Sequence, residues 1–146
     1  MSREIAPDLL ERLRARFANH PLHRFLGVRF VDLQPDLCTV EADLHPPTDN
    51  GSGTIHGGVV AILADLAIAG ALSTNFDGKM GFATSNLNLH FLRRAKDRAI
   101  ATARIVKKGS TICVARVDVV DGNGDLAAIA TSDFVLTTSK LPDREP

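Results

Sequence analysis

Residues 50–58 read Asn-Gly-Ser-Gly-Thr-Ile-His-Gly-Gly, and residues 59–72 continue as Val-Val-Ala-Ile-Leu-Ala-Asp-Leu-Ala-Ile-Ala-Gly-Ala-Leu. The second segment is apolar on every side of a helical wheel, which predicts a helix that is wrapped by protein. One charge, Asp65, lies in the middle of it. A lone carboxylate in such a helix has a large desolvation cost unless something pairs with it. Asp65 is therefore a candidate base or nucleophile, and the alternative is that it pairs with a buried Arg or caps a neighbouring loop.

Two glycines, Gly57 and Gly58, stand ahead of this helix. They allow a ligand to approach closely, and they leave free N–H groups at the positive end of the helix dipole. Gly57 and Asp65 are eight residues apart, which separates their backbones by roughly 12 Å along the helix axis. One helix cannot bring both groups to a single carbonyl, whereas two antiparallel copies can. The sequence thus predicts a homodimer with two equivalent sites at a two-fold interface.

The composition is that of one globular domain. The chain has 146 residues, of which 45% are hydrophobic, and its 17 basic and 17 acidic residues cancel. A neutral balance argues against a general nucleic-acid or membrane-surface binder. The two cysteines, Cys38 and Cys113, show no metal-binding or disulfide spacing, and residues 1–8 contain no apolar leader. These features predict a cytoplasmic protein without a metal site.

The rest of the chain predicts one outer helix and a long antiparallel sheet, an α+β layout. Residues 8–19 form the amphipathic outer helix, and a loop containing His20 and His23 is expected to follow it. Alternation and hairpin turns at 108–110 and 122–124 predict the strands. These strands are expected at residues 28–33, 37–44, 81–92, 99–107, 111–121 and 126–138.

The residues around the central helix resemble the motif of a known family. Asn50, Gly53, the His-Gly-Gly at 56–58, Asp65 and a later strand with Asn88 resemble the hotdog-fold acyl-CoA thioesterases of the phenylacetate-pathway (PaaI-like) type. The resemblance covers residues 25 to about 135. It implies a hotdog fold, in which a curved antiparallel sheet wraps a long central helix. The hotdog core is expected at 25–138, after an N-terminal helix and loop at 1–24 and before a tail at 139–146. The family unit is a dimer, often paired again as a dimer of dimers.

The resemblance also implies roles for individual residues. Gly57 matches the glycine whose N–H polarises the thioester carbonyl, with Gly58 beside the substrate. Asn50 matches the amide that helps to fix that carbonyl. Asp65 of the partner chain matches the general base or nucleophile. His56 matches the histidine near the leaving thiolate, and its alternative role is to hold the loop turn by a backbone hydrogen bond.

A hydroxyl on the first long strand orients the water in this family, and Thr84 or Ser85 can supply it. Alternate residues of a strand face opposite sides, so only one of the two can point at the helix. Alignment with the family pattern favours Thr84 and keeps Ser85 in reserve. A bulge or the curvature of the sheet decides between them.

Coenzyme A would bring phosphates to the surface. Arg93, Arg94, Lys107 and Lys108 are candidates to pair with them, and the alternative is that they are solvated turn residues. The acyl group is expected along the central helix, near Ala61 and Leu66. Phe76 or Phe82 is expected at the pocket mouth, unless these rings belong to the core.

The expected function is hydrolysis of acyl-CoA thioesters to free acid and CoA, without a cofactor. The alternative is a non-catalytic acyl-CoA or aromatic-ligand binding protein of the same fold. A hotdog dehydratase fits less well, because His56 stands in a different context. The acyl group, and the choice between CoA and acyl-carrier protein, are not encoded in any motif of the sequence.

Overall fold

A computed structural model describes residues 3–75 and 81–137. The predictions for Phe76 and for the tail at 139–146 lie outside these residues. Within these residues, three helices and six strands follow one another. In order they are α1 (Pro7–Asn19), α2 (Pro21–Leu26), β1 (Arg29–Gln34), β2 (Leu37–Asp43), a 3₁₀ turn (Pro46–Thr48), α3 (Gly57–Ser73), β3 (Gly81–Phe91), β4 (Arg98–Lys108), β5 (Ile112–Asp121) and β6 (Leu126–Thr137).

All six strands belong to one antiparallel sheet with the order β1-β2-β4-β5-β6-β3. Helix α3 packs against this sheet, mainly on β2 and β4. The predicted α+β hotdog layout is therefore confirmed. The strand order contains one feature that the hairpin turns do not reveal. β3 pairs with β6 rather than with the next strand along the chain, so β3 forms an edge of the sheet.

Small residues bring α3 close to the sheet. The buried faces of β2 and β4 carry Ala42, Ala99, Ala101 and Ala103, all fully buried. At Gly70 a Cβ atom would lie 2.5 Å from Sγ of Cys38, so the close packing of the helix on β2 requires a residue without a side chain at this position. Burial raises the pKa of the Cys38 thiol to about 12, so this sulfur acts as a core atom rather than as a nucleophile.

The helix predicted at 8–19 is present as α1, with Leu9 buried and Leu13 and Phe17 packed against the core. The prediction of a loop after α1 is wrong, because residues 21–26 form helix α2. This helix extends past residue 24, where the hotdog core was expected to begin. Pro21 stands at its first position, the His20 side chain accepts from the Leu22 N–H, and Gly27 ends it in the left-handed conformation. Six residues are too few to show a helical period, so only these caps indicate it.

A single chain leaves one side of α3 only partly covered. The sheet covers one side of the helix, and on the other side Ala61, Ile62, Asp65, Leu66 and Ala69 are only half-buried. Their three- and four-residue spacing places them on one helix face. An almost entirely apolar helix thus keeps a stripe of partly exposed residues, the open face of α3. None of the helices within residues 3–75 and 81–137 has the length and apolarity to cross a membrane.

Candidate active site

The first turn of α3 leaves one backbone donor free. His56 is the N-cap residue, and its Nδ1 atom accepts from the Gly58 N–H at 2.8 Å. The N–H groups of Val59 and Val60 donate to the His56 carbonyl at 2.9 and 3.1 Å. Across residues 3–75 and 81–137, no acceptor is bonded to the Gly57 N–H. A lone donor at the positive end of a helix is suited to hold a developing negative charge.

The contact to Gly58 also defines the His56 ring. Because Nδ1 accepts a hydrogen bond, the neutral ring carries its proton on Nε2, which is then a donor. The His56 backbone N–H donates to the Thr48 carbonyl at 2.8 Å, which fixes the residue to the 3₁₀ turn. The alternative role suggested for His56, holding the turn, therefore exists in the structure as a helix cap, and the exposed Nε2–H is available for a second contact.

Asn50 lies at the start of the loop that leads to α3. Its Oδ1 atom accepts from the Ser52 N–H at 2.8 Å, and its Nδ2 atom donates to Thr54 Oγ1 at 2.7 Å. An amide nitrogen carries two hydrogens, and among the described residues only one of them has a partner. The loop thus holds the Asn50 amide in one orientation and leaves one N–H for a ligand.

A cleft of about 310 Å³ lies in front of these groups. Asn50 and Gly57 line it together with Phe91, Arg93 and Arg94. The remaining lining residues are Thr54, Ile55, Val60, Leu92, Ala95 and Ala127. Backbone hydrogen bonds fix both walls, since the N–H groups of Leu92 and Arg93 donate to the Ala127 carbonyl and the Ile55 N–H donates to the Ala95 carbonyl. The cleft therefore brings the N–H groups of Asn50 and Gly57 together with two cations.

The two arginines of the cleft differ in their partners. The Arg93 guanidinium lies 3.6 Å from Asp125 Oδ2, a surface ion pair in which both side chains are about half exposed. Arg94 is exposed and makes no ion pair with the described part of the chain. Arg94 is thus the more available cation for a ligand phosphate.

Phe91 is a cleft residue that sequence reasoning missed. Its side chain is 58% exposed, and a Cβ atom built on Gly57 would lie 3.4 Å from Cε1 and Cζ of the ring. Strand parity is the signal that could have revealed it. Leu87 and Leu89 face the core in β3, and Phe91 is the next residue in that row.

Asp65 meets Thr84 within the same chain. The Thr84 hydroxyl donates to Asp65 Oδ1 at 2.8 Å. The pairing of β3 with β6 skips Ser85, which marks a bulge, and the Ser85 hydroxyl turns instead to the Asp133 carbonyl at 3.0 Å. The bulge thus puts Thr84, and not Ser85, against the helix carboxylate. No Arg or Lys within residues 3–75 and 81–137 forms an ion pair with Asp65.

Other predicted residues lie apart from the cleft. Lys107 and Lys108 end β4, and Lys108 Nζ donates to Asn75 Oδ1 at 2.6 Å and lies 3.6 Å from Asp36 Oδ1. Asn75 follows the C-terminal end of α3, so these lysines flank the helix end opposite to Gly57. Phe82 packs edge-on against the buried Phe134 ring, with centroids 5.8 Å apart, and so belongs to the core. The described residues contain no cluster suited to a metal ion.

Comparison with known proteins gives a family match. The model of the thioesterase superfamily matches residues 52–128, which include α3 and most of the sheet. A Halobacterium salinarum protein is 34% identical over 79% of this chain and 80% of its own length. Acyl-coenzyme A thioesterase 13 of Mus musculus is 30% identical over 76% of this chain and 81% of its own.

Solved structures show the same fold. The E. coli PaaI protein from the phenylacetic acid degradation operon superposes with a TM-score of 0.81 at 20% identity, covering 93% of this chain and 98% of that one. A mutant thioesterase of Pseudomonas aeruginosa gives a TM-score of 0.80 at 25% identity, covering 93% and 97%.

Proposed function

This chain belongs to the thioesterase superfamily, and on that premise we propose that it hydrolyses acyl-CoA thioesters to the free acid and CoA at a site shared by two chains. The observation that carries the proposal is the free Gly57 N–H at the head of α3, on the same helix as the Asp65 carboxylate. The name of the mouse relative, an acyl-coenzyme A thioesterase, supports the choice of substrate class.

The site requires two chains because of helix geometry. Gly57 and Asp65 lie on one continuous helix, about 12 Å apart along its axis at 1.5 Å per residue. A second α3, running antiparallel along the open face, brings the Asp65 of one chain to the Gly57 of the other. The partly exposed Ala61, Ile62 and Leu66 support this arrangement, since an apolar face is stabilised when a partner covers it. The unpaired side of β3 offers a second strip of interface.

The proposed chemistry begins with the carbonyl. The Gly57 N–H donates to the thioester oxygen, with the remaining Asn50 N–H beside it, and both hold the negative charge that develops there. Asp65 of the second chain removes a proton from water as the water oxygen bonds to the carbonyl carbon. The carbon–sulfur bond then breaks, and the proton passes from Asp65 to the departing thiolate. Direct attack by the Asp65 carboxylate on the carbonyl carbon is the alternative route.

Two neighbouring groups assist the carboxylate and the leaving group. Thr84 donates to Asp65 Oδ1, so the other carboxylate oxygen, Oδ2, is left for water. His56 presents Nε2–H beside the helix start and is proposed to donate to the thioester as it is cleaved. Gly58 contributes its N–H to the His56 ring, so its role is to fix that ring rather than to contact substrate.

The two arginines of the cleft indicate where the CoA part of the ligand would bind. Arg94, with Arg93 beside it, is proposed to pair with phosphates at the outer end of the cleft. The acyl group leaves the carbonyl in the other direction, along the open face near Ala61 and Leu66. Lys107 and Lys108 reach the same ligand only if the second chain carries them there.

The first test compares wild type with Asp65→Asn, which keeps the size of the side chain and removes its basicity. We expect release of free thiol from at least one of a panel of short, medium, long and aromatic acyl-CoAs. The kcat of Asp65→Asn should fall by about 10²-fold or more. The control is Asp118→Asn, an exposed carboxylate on β5. If wild type and Asp65→Asn are equally slow on every substrate, ligand binding without catalysis becomes the better function.

A further inference from the structure

Asparagine is followed by glycine at two places in the chain, Asn50–Gly51 and Asn123–Gly124. Such a pair is prone to spontaneous deamidation, because glycine has no Cβ atom to keep its backbone nitrogen away from the asparagine side chain. The glycine nitrogen bonds to Cγ of the asparagine, and the bond from Cγ to Nδ2 breaks. Ammonia leaves with the proton of the glycine N–H, and water opens the resulting succinimide to aspartate or isoaspartate.

The two pairs have similar backbone surroundings. Both lie in exposed loops, and Gly51 and Gly124 have nearly the same φ, 87° and 83°. Apart from its chain neighbours, a Cβ atom built on either glycine would have no contact within 4 Å in the described part of the chain. Exposure and glycine conformation therefore give no reason for the two pairs to deamidate at different rates.

The side-chain amide of Asn50 is fixed by two hydrogen bonds. Its Oδ1 atom accepts from the Ser52 N–H at 2.8 Å, and its Nδ2 atom donates to Thr54 Oγ1 at 2.7 Å. Thr54 is buried, and its carbonyl also accepts from the Asn50 backbone N–H at 2.9 Å. Cγ of Asn50 cannot turn toward the Gly51 nitrogen without breaking these contacts, which raises the barrier to attack.

Asp49 holds the nitrogen that would attack. Its Oδ1 atom accepts from the Gly51 N–H at 2.8 Å and from the Gly53 N–H at 3.1 Å. A hydrogen bond to a charged acceptor is stronger than one to a neutral acceptor. The Gly51 nitrogen must give up this bond before it can bond to Cγ of Asn50, so the Asp49 carboxylate adds a second barrier.

The second pair lacks both contacts. Within residues 3–75 and 81–137 the Asn123 side chain has no hydrogen-bond partner, and only its backbone N–H is bonded, to Asp121 Oδ1. The Gly124 N–H donates to a neutral group, the Asp121 carbonyl, at 3.0 Å. The Asn123 amide is therefore free to turn toward the Gly124 nitrogen.

We propose that Asp49 and Thr54 protect Asn50 from deamidation, and that Asn123 is the residue at which the folded chain deamidates first. The inference goes beyond the proposed function and depends on it for one consequence only. Deamidation of Asn50 would replace the N–H donor proposed for the thioester oxygen by a carboxylate, which repels the negative charge that develops there. Deamidation of Asn123 leaves that donor in place.

The experiment follows both residues in one sample. Wild type, Asp49→Ala and Thr54→Val are incubated in mildly alkaline buffer, and mass spectrometry of proteolytic fragments measures the conversion of amide to acid. In wild type we expect Asn123 to convert about tenfold faster than Asn50. The rate at Asn50 should rise about tenfold in Asp49→Ala and about threefold in Thr54→Val. The rate at Asn123 should be the same in all three proteins.

Two controls separate protection from sequence context. Asp49→Ser retains an oxygen that can accept from the Gly51 N–H, so its rate at Asn50 should lie between those of wild type and Asp49→Ala. In wild type denatured with urea, the two rates should converge, because the loop contacts are absent. Rates that stay different in urea would assign the difference to neighbouring residues and overturn the proposal.

The folded proteins give further decisive outcomes. Equal rates at Asn50 and Asn123 in folded wild type would overturn the proposal. An unchanged rate at Asn50 in both Asp49→Ala and Thr54→Val would also overturn it. Thiol release from acyl-CoA is assayed on the same samples and should fall in step with conversion of Asn50. Full activity after conversion of Asn50 would contradict the role of this residue in the proposed function, whereas the measured rates test the protection by themselves.

Discussion

Gly57 is the first residue of α3, and Pro is tolerated at this position because the N–H of a first helical residue has no partner inside the helix. His56 has φ −60° and ψ 134°, a conformation that a residue before Pro adopts readily. Gly57→Pro therefore removes the proposed oxyanion donor while the helix is retained. We expect kcat for acyl-CoA hydrolysis to fall by about 10²–10³-fold, as for loss of one oxyanion donor elsewhere.

Gly57→Ala is the matched control, since it adds a Cβ atom at 3.4 Å from the Phe91 ring and keeps the N–H. Its kcat should stay well above that of Gly57→Pro. Equal losses in the two variants would mean that crowding against Phe91, and not the missing donor, limits the reaction. Circular dichroism of both variants checks that α3 is intact.

Single residues also mark the limit of what the sequence predicts. The spacing of Asn50, Gly57 and Asp65 in the sequence is enough to predict the helix, the N–H donor at its start and the carboxylate within it. The choice between Thr84 and Ser85 requires the bulge in β3, and that bulge depends on how β3 pairs with a strand about 50 residues away. Phe91 was not predicted because alternation assigns it to the same face as Leu89, which packs against the core. At the end of β3 the core no longer covers that face, and Phe91 is exposed.

At the scale of elements, the contact between α3 and β2 depends on Gly70. Gly70→Ala would favour an isolated helix by about 1 kcal/mol. Here it drives a Cβ atom into Cys38, which lies 2.5 Å from it at Sγ, in a fully packed layer. We expect a net loss of about 1–3 kcal/mol in the free energy of unfolding, measured with urea.

The double variant Gly70→Ala with Cys38→Ala separates this clash from other causes. Removal of the sulfur makes room for the new methyl group, so the double variant should lose less stability than the sum of the two single variants. Strict additivity would show that Gly70 matters for some reason other than its approach to β2.

The packing of α1 on α2 predicts a dependence of stability on pH. His23 Nδ1 donates to the Phe17 carbonyl at 2.9 Å, and its ring stacks on His20 with centroids 4.3 Å apart. Burial lowers the pKa of His23 below its usual value of 6.5. The unfolded chain therefore binds the proton more readily than the folded chain, and the free energy of unfolding falls as the pH drops below about 6.5.

His23→Asn keeps a side-chain donor for Phe17 and removes the titration. Urea unfolding at pH 7.5 and 5.5 should show a larger decrease in stability for wild type than for this variant. Parallel decreases in the two proteins would assign the acid sensitivity to other groups.

Elements differed in how well the sequence predicted them. α1, α3 and all six strands came from apolar periodicity and turn residues, with ends that agree to within two residues. α2 was missed because six residues hold less than two turns. The position of β3 at the sheet edge was not predictable, since alternation gives the faces of a strand but not its neighbours. The open face of α3 could be inferred only from the conflict between an all-apolar helix and a single covering sheet.

For the whole molecule, the proposed site between two chains predicts that two inactive variants restore each other. A mixed dimer of Asp65→Asn and Gly57→Pro has one site with both groups intact and one site with neither. Co-expression and random pairing should yield about a quarter of the wild-type activity, because half of the dimers carry one working site of two. A site confined to one chain would give no recovery. Light scattering checks the assembly, with one chain at 15.7 kDa, and distinguishes a dimer from the proposed dimer of dimers.

The edge position of β3 also bears on how the protein must be made. β3 is an 11-residue strand, and no other strand of the described residues pairs with the N–H and C=O groups on its outer side. A newly folded chain therefore carries a template that accepts an extended segment of any other chain. Pairing with the β3 of an identical folded chain fills this edge, whereas pairing with an unfolded chain leaves a new free edge that further chains can join. The yield of folded protein during synthesis or refolding therefore depends on the rate of association of folded chains relative to the rate of pairing with unfolded ones.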